Sequence, residues 1–261
     1  LTSVLALVLT PLLGITYAAG RIWTLLGVLG TAALMVAWIR RESGRWLPAA
    51  AAALLFVGSP YVYHWAPLFR VDLVGLALTL GGLYAVYLAA SPPAQDGGGL
   101  RVADGGPVRQ RTRDTTSTQR WLIGLAVLLF VAALFAKQSF FFAPAAALAY
   151  LFFFVDRGLA VKAALVLLLS GGGLFLVINA VTSGGFWFGL VASNVNPFLW
   201  PEFWKQQTDF LGTFGVLGLL SAWYVVDKFW LDRATSVREK ISPLDLYLPA
   251  ALASLLLAGK A

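Results

Sequence analysis

Three ionisable residues stand where a membrane chain carries few. Arg70 and Asp72 lie at the mouth of the apolar run 70–90, directly behind the aromatic cluster YVYHWAPLF, and Lys137 interrupts the apolar stretch 121–155. A charge costs about 2.5–3.5 kcal/mol at mid-membrane and less at an interface, so charges kept there point to use. Cations at such a boundary suit a membrane anion such as a lipid phosphate, because Arg and Lys offer charge-assisted hydrogen bonds to phosphate oxygens. Arg21 opens another apolar run and adds a further cation, while Gln138, Asn194 and Asn196 add neutral donors and acceptors that could line a substrate loop. Each has a plainer reading. Arg70 would snorkel to headgroups with Asp72 as its partner or as a helix N-cap, and Lys137, with no partner near in sequence, would snorkel too. Asn194 and Asn196, flanking Val195 before Pro197, would form a turn. His64 is the sole histidine, which excludes a multi-histidine metal site, and within YVYHW it reads as an interfacial belt residue.

The elements that must position these groups are membrane helices. The chain has 261 residues, 59% hydrophobic and 12% charged, with mean hydropathy +0.80, well above the apolar share of soluble domains. This is an all-α, polytopic transmembrane helical bundle, read as a single domain over 1–261. The spans predicted from apolar length are 22–39, 46–63, 70–90, 121–136, 139–155, 163–181, 208–226 and 244–258. The first apolar stretch, 1–18, is broken by Pro11 and Gly14 and reads as a span or an interfacial helix, giving about eight to nine membrane segments. The glycines of SGGGL at 170–174, and Gly212, Gly215 and Gly218, are expected to be close-packing faces. Residues 91–120, rich in Gly, Pro, Thr and Arg, read as a disordered cytoplasmic loop, and 182–207 as an extracytoplasmic aromatic loop.

Orientation follows from the basic residues. The loops 40–46, 91–120, 156–162 and 227–243 hold three, five, two and four of the 19 Lys and Arg, against one each at Arg21, Arg70, Lys137, Lys205 and Lys260. The first set marks the cytoplasmic side, so the candidate residues gather on the extracytoplasmic face of a cell-membrane protein. The net charge of +7 is thereby explained by membrane anchoring, and nucleic acid is not expected as a partner. Cysteine is absent, which removes disulfides and thiolate chemistry.

Four stretches in order, Gly20-Arg21 at a helix start, SPYVYHWAPLFRVDLVGLALTLGGLY at 59–84, AKQSFFFAPAAAL at 136–148 and FWFGLVASNVNPF at 186–198, resemble the multi-span glycosyltransferases of the GT-C superfamily. The branch they are most similar to holds bacterial relatives of the protein O-mannosyltransferases and of the enzyme that adds aminoarabinose to lipid A. The resemblance implies a GT-C-like fold and sugar transfer on the extracytoplasmic side, from a polyprenyl-phosphate-linked sugar to a lipid, glycan or protein acceptor. It places Lys137 where the family has a lysine at a helix break, and Asp72 where it has an acid at the head of a span, with Arg70 and Arg21 as phosphate or structural partners. The family's first outer loop, with the main catalytic base, is expected before Leu1. By the same comparison residues 1–13 would form a juxtamembrane helix.

Such a transfer needs an attacking hydroxyl oriented by a base and cations that stabilise the leaving phosphate. Arg70 and Lys137 could supply the second part. An acid near the acceptor or a bound divalent cation could supply the first, and no metal ligands are assigned. A transporter or flippase for an anionic lipid or solute would use the same cations for capture, and a non-catalytic scaffold would need no site. Alternating access usually shows an inverted repeat or broken helices at mid-membrane, and the sequence has no such repeat.

Overall fold

A computed structural model describes residues 17–68, 71–91, 117–190, 199–228 and 241–254, and the elements within them are all helical. They are α1 (Tyr17–Ser43), α2 (Trp46–Val57), α3 (Pro60–Trp65), α4 (Val71–Ala90) and α5 (Ser117–Ala136). A 3₁₀ turn (Gln138–Phe141), α6 (Phe142–Tyr150) and a π turn (Leu151–Val155) follow as one broken rod. Then come α7 (Arg157–Val181), α8 (Gly185–Leu190), α9 (Trp200–Val226) and α10 (Pro243–Ser254).

Five stretches are long and apolar enough to cross a membrane: Gly20–Ser43, Val71–Ala90, Ser117–Ala136, Gln138–Val155 and Arg157–Val181. The described residues therefore form an all-helical protein built from membrane-compatible helices, as the composition predicts. The return span expected over 46–63 is split, because the Gly58-Ser59-Pro60 sequence ends α2 and starts α3, with the Ser59 hydroxyl accepting the Val62 N–H at 3.3 Å. The aromatic stretch 182–207 is helical at Gly185–Leu190 and again from Trp200, where α9 begins eight residues earlier than the apolar run suggests. Of the loop expected at 91–120, residues 92–116 lie outside the described set, and Ser117 already belongs to α5. Residues 1–16 also lie outside it.

Small residues set the packing, as helices surrounded by lipid require, since apolar burial alone gives them no reason to associate. α1 and α4 run parallel. Their closest approach is at Gly27, where a Cβ would fall 2.7 Å from the Leu73 carbonyl carbon and the Val74 nitrogen. Further along the same pair, Trp38 joins Tyr84 and Tyr87 in a three-ring cluster, stacked on Tyr87 at 5.2 Å and tilted against Tyr84 at 5.4 Å, with the two tyrosine rings 6.1 Å apart. α5 returns antiparallel on α4, laying the Phe130 ring over Gly82. α7 then runs parallel to α5, from the cleft their first turns share to a stack of Phe135 on Phe186 and Phe186 on Phe175.

The buried centre joins Trp38, Leu83, Val86, Phe130 and Leu151, with Leu244 and Tyr247 of α10 against it. A smaller cluster of Val28, Val62, Ala66 and Leu73 lies beneath the mouth of α4. These contacts sort the helix termini. The starts of α1 and α4, the end of α5 and α8 gather at what we term the Lys137 end; the ends of α1 and α4 and the starts of α5 and α7 form the Arg40 end.

Two glycine faces differ from expectation. In the 170–174 run only Gly171 approaches another helix, its Cβ direction meeting Val131 at 3.8 Å, while Gly172 and Gly173 face open space, as do Gly212, Gly215 and Gly218. Leu168, Leu169, Leu176 and Val177 of α7 are exposed as well, so most of this helix presents apolar surface outward, as a lipid-facing helix does.

Candidate functional site at the Lys137 end

Asp72 is the second residue of α4, not its N-cap, and a carboxylate in a first turn is favoured by the helix dipole. The start of α4 is held from α1. Gly27 abuts the backbone at Leu73 and Val74, and the Thr24 hydroxyl, which is also within reach of the Gly20 carbonyl, donates to the Leu68 carbonyl at 3.2 Å. These contacts fix where the Asp72 carboxylate emerges.

Lys137 comes from the opposite direction. α5 ends at Ala136, and Lys137 is extended (φ −157°, ψ 131°) before the 3₁₀ turn that leads into α6. Pro144 falls in the first turn of α6, where its missing N–H disrupts nothing. The Phe140 ring, three residues past Lys137, lies on Gly75, three residues past Asp72, and leaves no room for a Cβ there. Asp72 and Gly75, three apart in α4, share a face of that helix, so this ring-on-glycine contact seats the break against that face and brings Lys137 beside Asp72.

The result is an ion pair across 65 residues of sequence, Lys137 Nζ to Asp72 Oδ1 at 2.6 Å. The sequence supplies both residues as candidates but leaves Lys137 without a partner. The structure provides one in Asp72. The side chains are unequally exposed, Asp72 at 12% and Lys137 at 50%. An ammonium has three donors, so one can be held by the carboxylate while others face outward.

Gln138 is exposed beside Lys137. Arg21 is exposed on α1, one turn before Thr24, which places it at the same end; among the described residues it joins no ion pair. Arg70, Asn194 and Asn196 lie outside the described residues. Exposed aromatic side chains, Tyr63, Trp187 and Phe188, stand at this end as well. The α7–α8 corner that carries two of them turns at Ser183 and Gly184, with φ of 50° and 87°, and is pinned by Asn179 Oδ1 accepting the Trp187 N–H at 2.9 Å. Among the described residues no group of three or more His, Asp or Glu side chains converges to hold a metal ion.

A second pair, which the sequence reading missed, lies at the Arg40 end. Lys228, just past α9, contacts both Asp245 oxygens at 2.8 and 3.0 Å, and Asp245 Oδ2 also accepts the Ser242 N–H at 2.7 Å and the Ser242 hydroxyl at 2.6 Å. The signal was available: Ser242-Pro243-Leu244-Asp245 has the S-x-x-D spacing of a helix start, with proline at the first helical position. Burial pulls the Lys228 ammonium down, but its hydrogen bonds to Asp245 and Tyr224 outweigh that and hold it above its ordinary 10.5.

Comparison with protein-family models, with curated proteins and with solved structures finds no match for this chain.

Proposed function

We propose that this chain is the membrane domain of a glycosyltransferase that moves a sugar from a polyprenyl-phosphate-linked donor to an acceptor on the extracytoplasmic face. The observation that carries this reading is the Lys137–Asp72 pair: a half-exposed ammonium at a helix break, positioned by a nearly buried carboxylate at the acid-poor end of the bundle. In this reading α2, α9 and α10 also lie in the membrane, which with residues 1–18 gives eight to nine segments in a GT-C-like arrangement.

Transfer breaks the bond between the anomeric carbon and the phosphate oxygen and forms one from that carbon to the acceptor hydroxyl oxygen. The hydroxyl proton passes to a base, and the bonding electrons leave with the polyprenyl phosphate. Lys137 meets the charge that grows on that leaving oxygen, as a preorganised cation that needs no reorganisation during the reaction. Asp72 acts through Lys137 as a positioning residue, and Arg70 and Arg21 are the further cations for the donor phosphate. The transporter reading has no comparable support, since it gives Asp72 no task beyond screening the cation that captures the substrate.

The test is transfer from a panel of polyprenyl-phosphate sugars by the full-length protein in lipid, with Lys137→Ala and Arg70→Ala compared at equal insertion. We expect transfer by the wild-type protein and its loss in Lys137→Ala. Unchanged transfer in both variants would overturn the proposal.

A further inference from the structure

A sizeable cavity lies away from the Lys137 end. It is a cleft of ≈ 730 Å³ between the first turns of α5 and α7, at the Arg40 end, within the range of about 300–1,000 Å³ common for ligand sites. Arg120 and Lys162 stand on its rim, and Ile123, Val127, Leu159 and Val166 give it an apolar wall. Gly124 keeps it open, since a Cβ there would meet nothing within 4 Å.

The rim charges do not cancel. Asp156 is the acid at the cleft, and its Oδ1 accepts the Leu159 N–H at 2.6 Å as the N-cap of α7. Arg120 and Lys162 are both exposed, and neither joins an ion pair among the described residues. Arg120 is followed by Trp121, 71% exposed, a residue type that settles at headgroup depth. Below that level Leu128, Leu165 and Leu169 point outward from the same two helices. The cleft thus begins with two cations at the interface and continues into apolar surface on the lipid side.

We propose that this cleft binds an anionic phospholipid of the adjoining leaflet, its phosphate on Arg120 and Lys162 and one acyl chain against the Val127–Val166 wall. A soluble anion would satisfy the two cations and leave that wall bare, whereas a phospholipid matches both parts at their relative depth. The site rests on the membrane placement of α5 and α7 and is independent of sugar transfer at the other end.

Native mass spectrometry of the full-length protein tests it, with phosphatidylglycerol and phosphatidylcholine of identical chains titrated into delipidated protein. Retention of phosphatidylglycerol should exceed that of phosphatidylcholine by about fivefold per cation, the scale for basic residues at an anionic leaflet. Arg120→Gln with Lys162→Gln should abolish the preference. Gly124→Leu, which fills the cleft and keeps both charges, should lower retention of phosphatidylglycerol by a similar factor. An undiminished preference in the double variant, full retention in Gly124→Leu, or displacement of the lipid by millimolar glycerol phosphate would each overturn the proposal.

Discussion

At the Lys137 end the ammonium comes from an extended break, 65 residues from its carboxylate, and stays half exposed. At the Arg40 end Lys228 lies 17 residues from Asp245, the two side chains only 16% and 9% exposed, with Ser242 taking further lone pairs of the same carboxylate. The ionic chemistry is identical and the use is different. A pair as covered as this, with its carboxylate also held by Ser242, serves the fold, tying the end of α9 to the start of α10. A pair with one partner mostly covered and the other half exposed keeps a cation in place and leaves its remaining donors available.

That contrast can be broken from either side. The largest effect should come from Asp245→Ala, which removes the carboxylate from Lys228 and opens the start of α10. Removing one partner of an enclosed pair costs about 3–5 kcal/mol, so the thermal midpoint in detergent should fall by many degrees, while any full-length protein that survives transfers sugar normally. Lys137→Ala should do the reverse. Transfer drops by about 100-fold or more, the scale for losing one preorganised donor at a developing oxyanion, and the thermal midpoint stays near wild type. Asp72→Asn should be milder on both counts. Stability changes by less than about 1 kcal/mol because the pair is partly solvated, and activity falls less than in Lys137→Ala, with the double variant no worse than Lys137→Ala alone. Equal stability losses at Asp72 and Asp245 would erase the distinction.

The smallest effect is a pH dependence. Lys228 is held above 10.5 in the folded chain, so its contribution is fully present below pH 10.5 and is lost as pH rises through the folded value. The thermal midpoint should therefore fall more steeply at strongly alkaline pH in wild type than in Lys228→Met, while Lys137→Ala keeps the wild-type slope. An identical alkaline slope in Lys228→Met would remove the argument.

Hydropathy alone placed most helices, because about twenty apolar residues are required to span hydrocarbon whatever their neighbours do. It placed the last residues of α4, α5 and α7 at 90, 136 and 181, but began α5 four residues late and α7 six, because the loop expected at 156–162 is helical from Arg157, capped by Asp156. Asp72 and Lys137 were each visible as charges out of place, but their pairing depends on Phe140 seating on Gly75, a contact between two helices that no local pattern records. Glycine spacing misled for a related reason. Gly27, Gly75 and Gly82 pack against neighbours whereas Gly212, Gly215 and Gly218 do not, and the sequence looks alike in both cases. The Ser242–Asp245 cap was legible in four letters, yet the part of it that matters here, the reach of Lys228, arises only once α9 ends beside it.

The 65-residue separation of the Lys137–Asp72 pair also has a history in time. During synthesis α4 enters the membrane with its aspartate well before Lys137 exists, and at about 5–20 residues per second the wait is roughly 3–13 s. For that interval the carboxylate must rest in interfacial water or be sheltered by the insertion machinery. The ring of Phe140 arrives with the lysine, so the contact that brings Lys137 beside Asp72 closes only after both helices have been made.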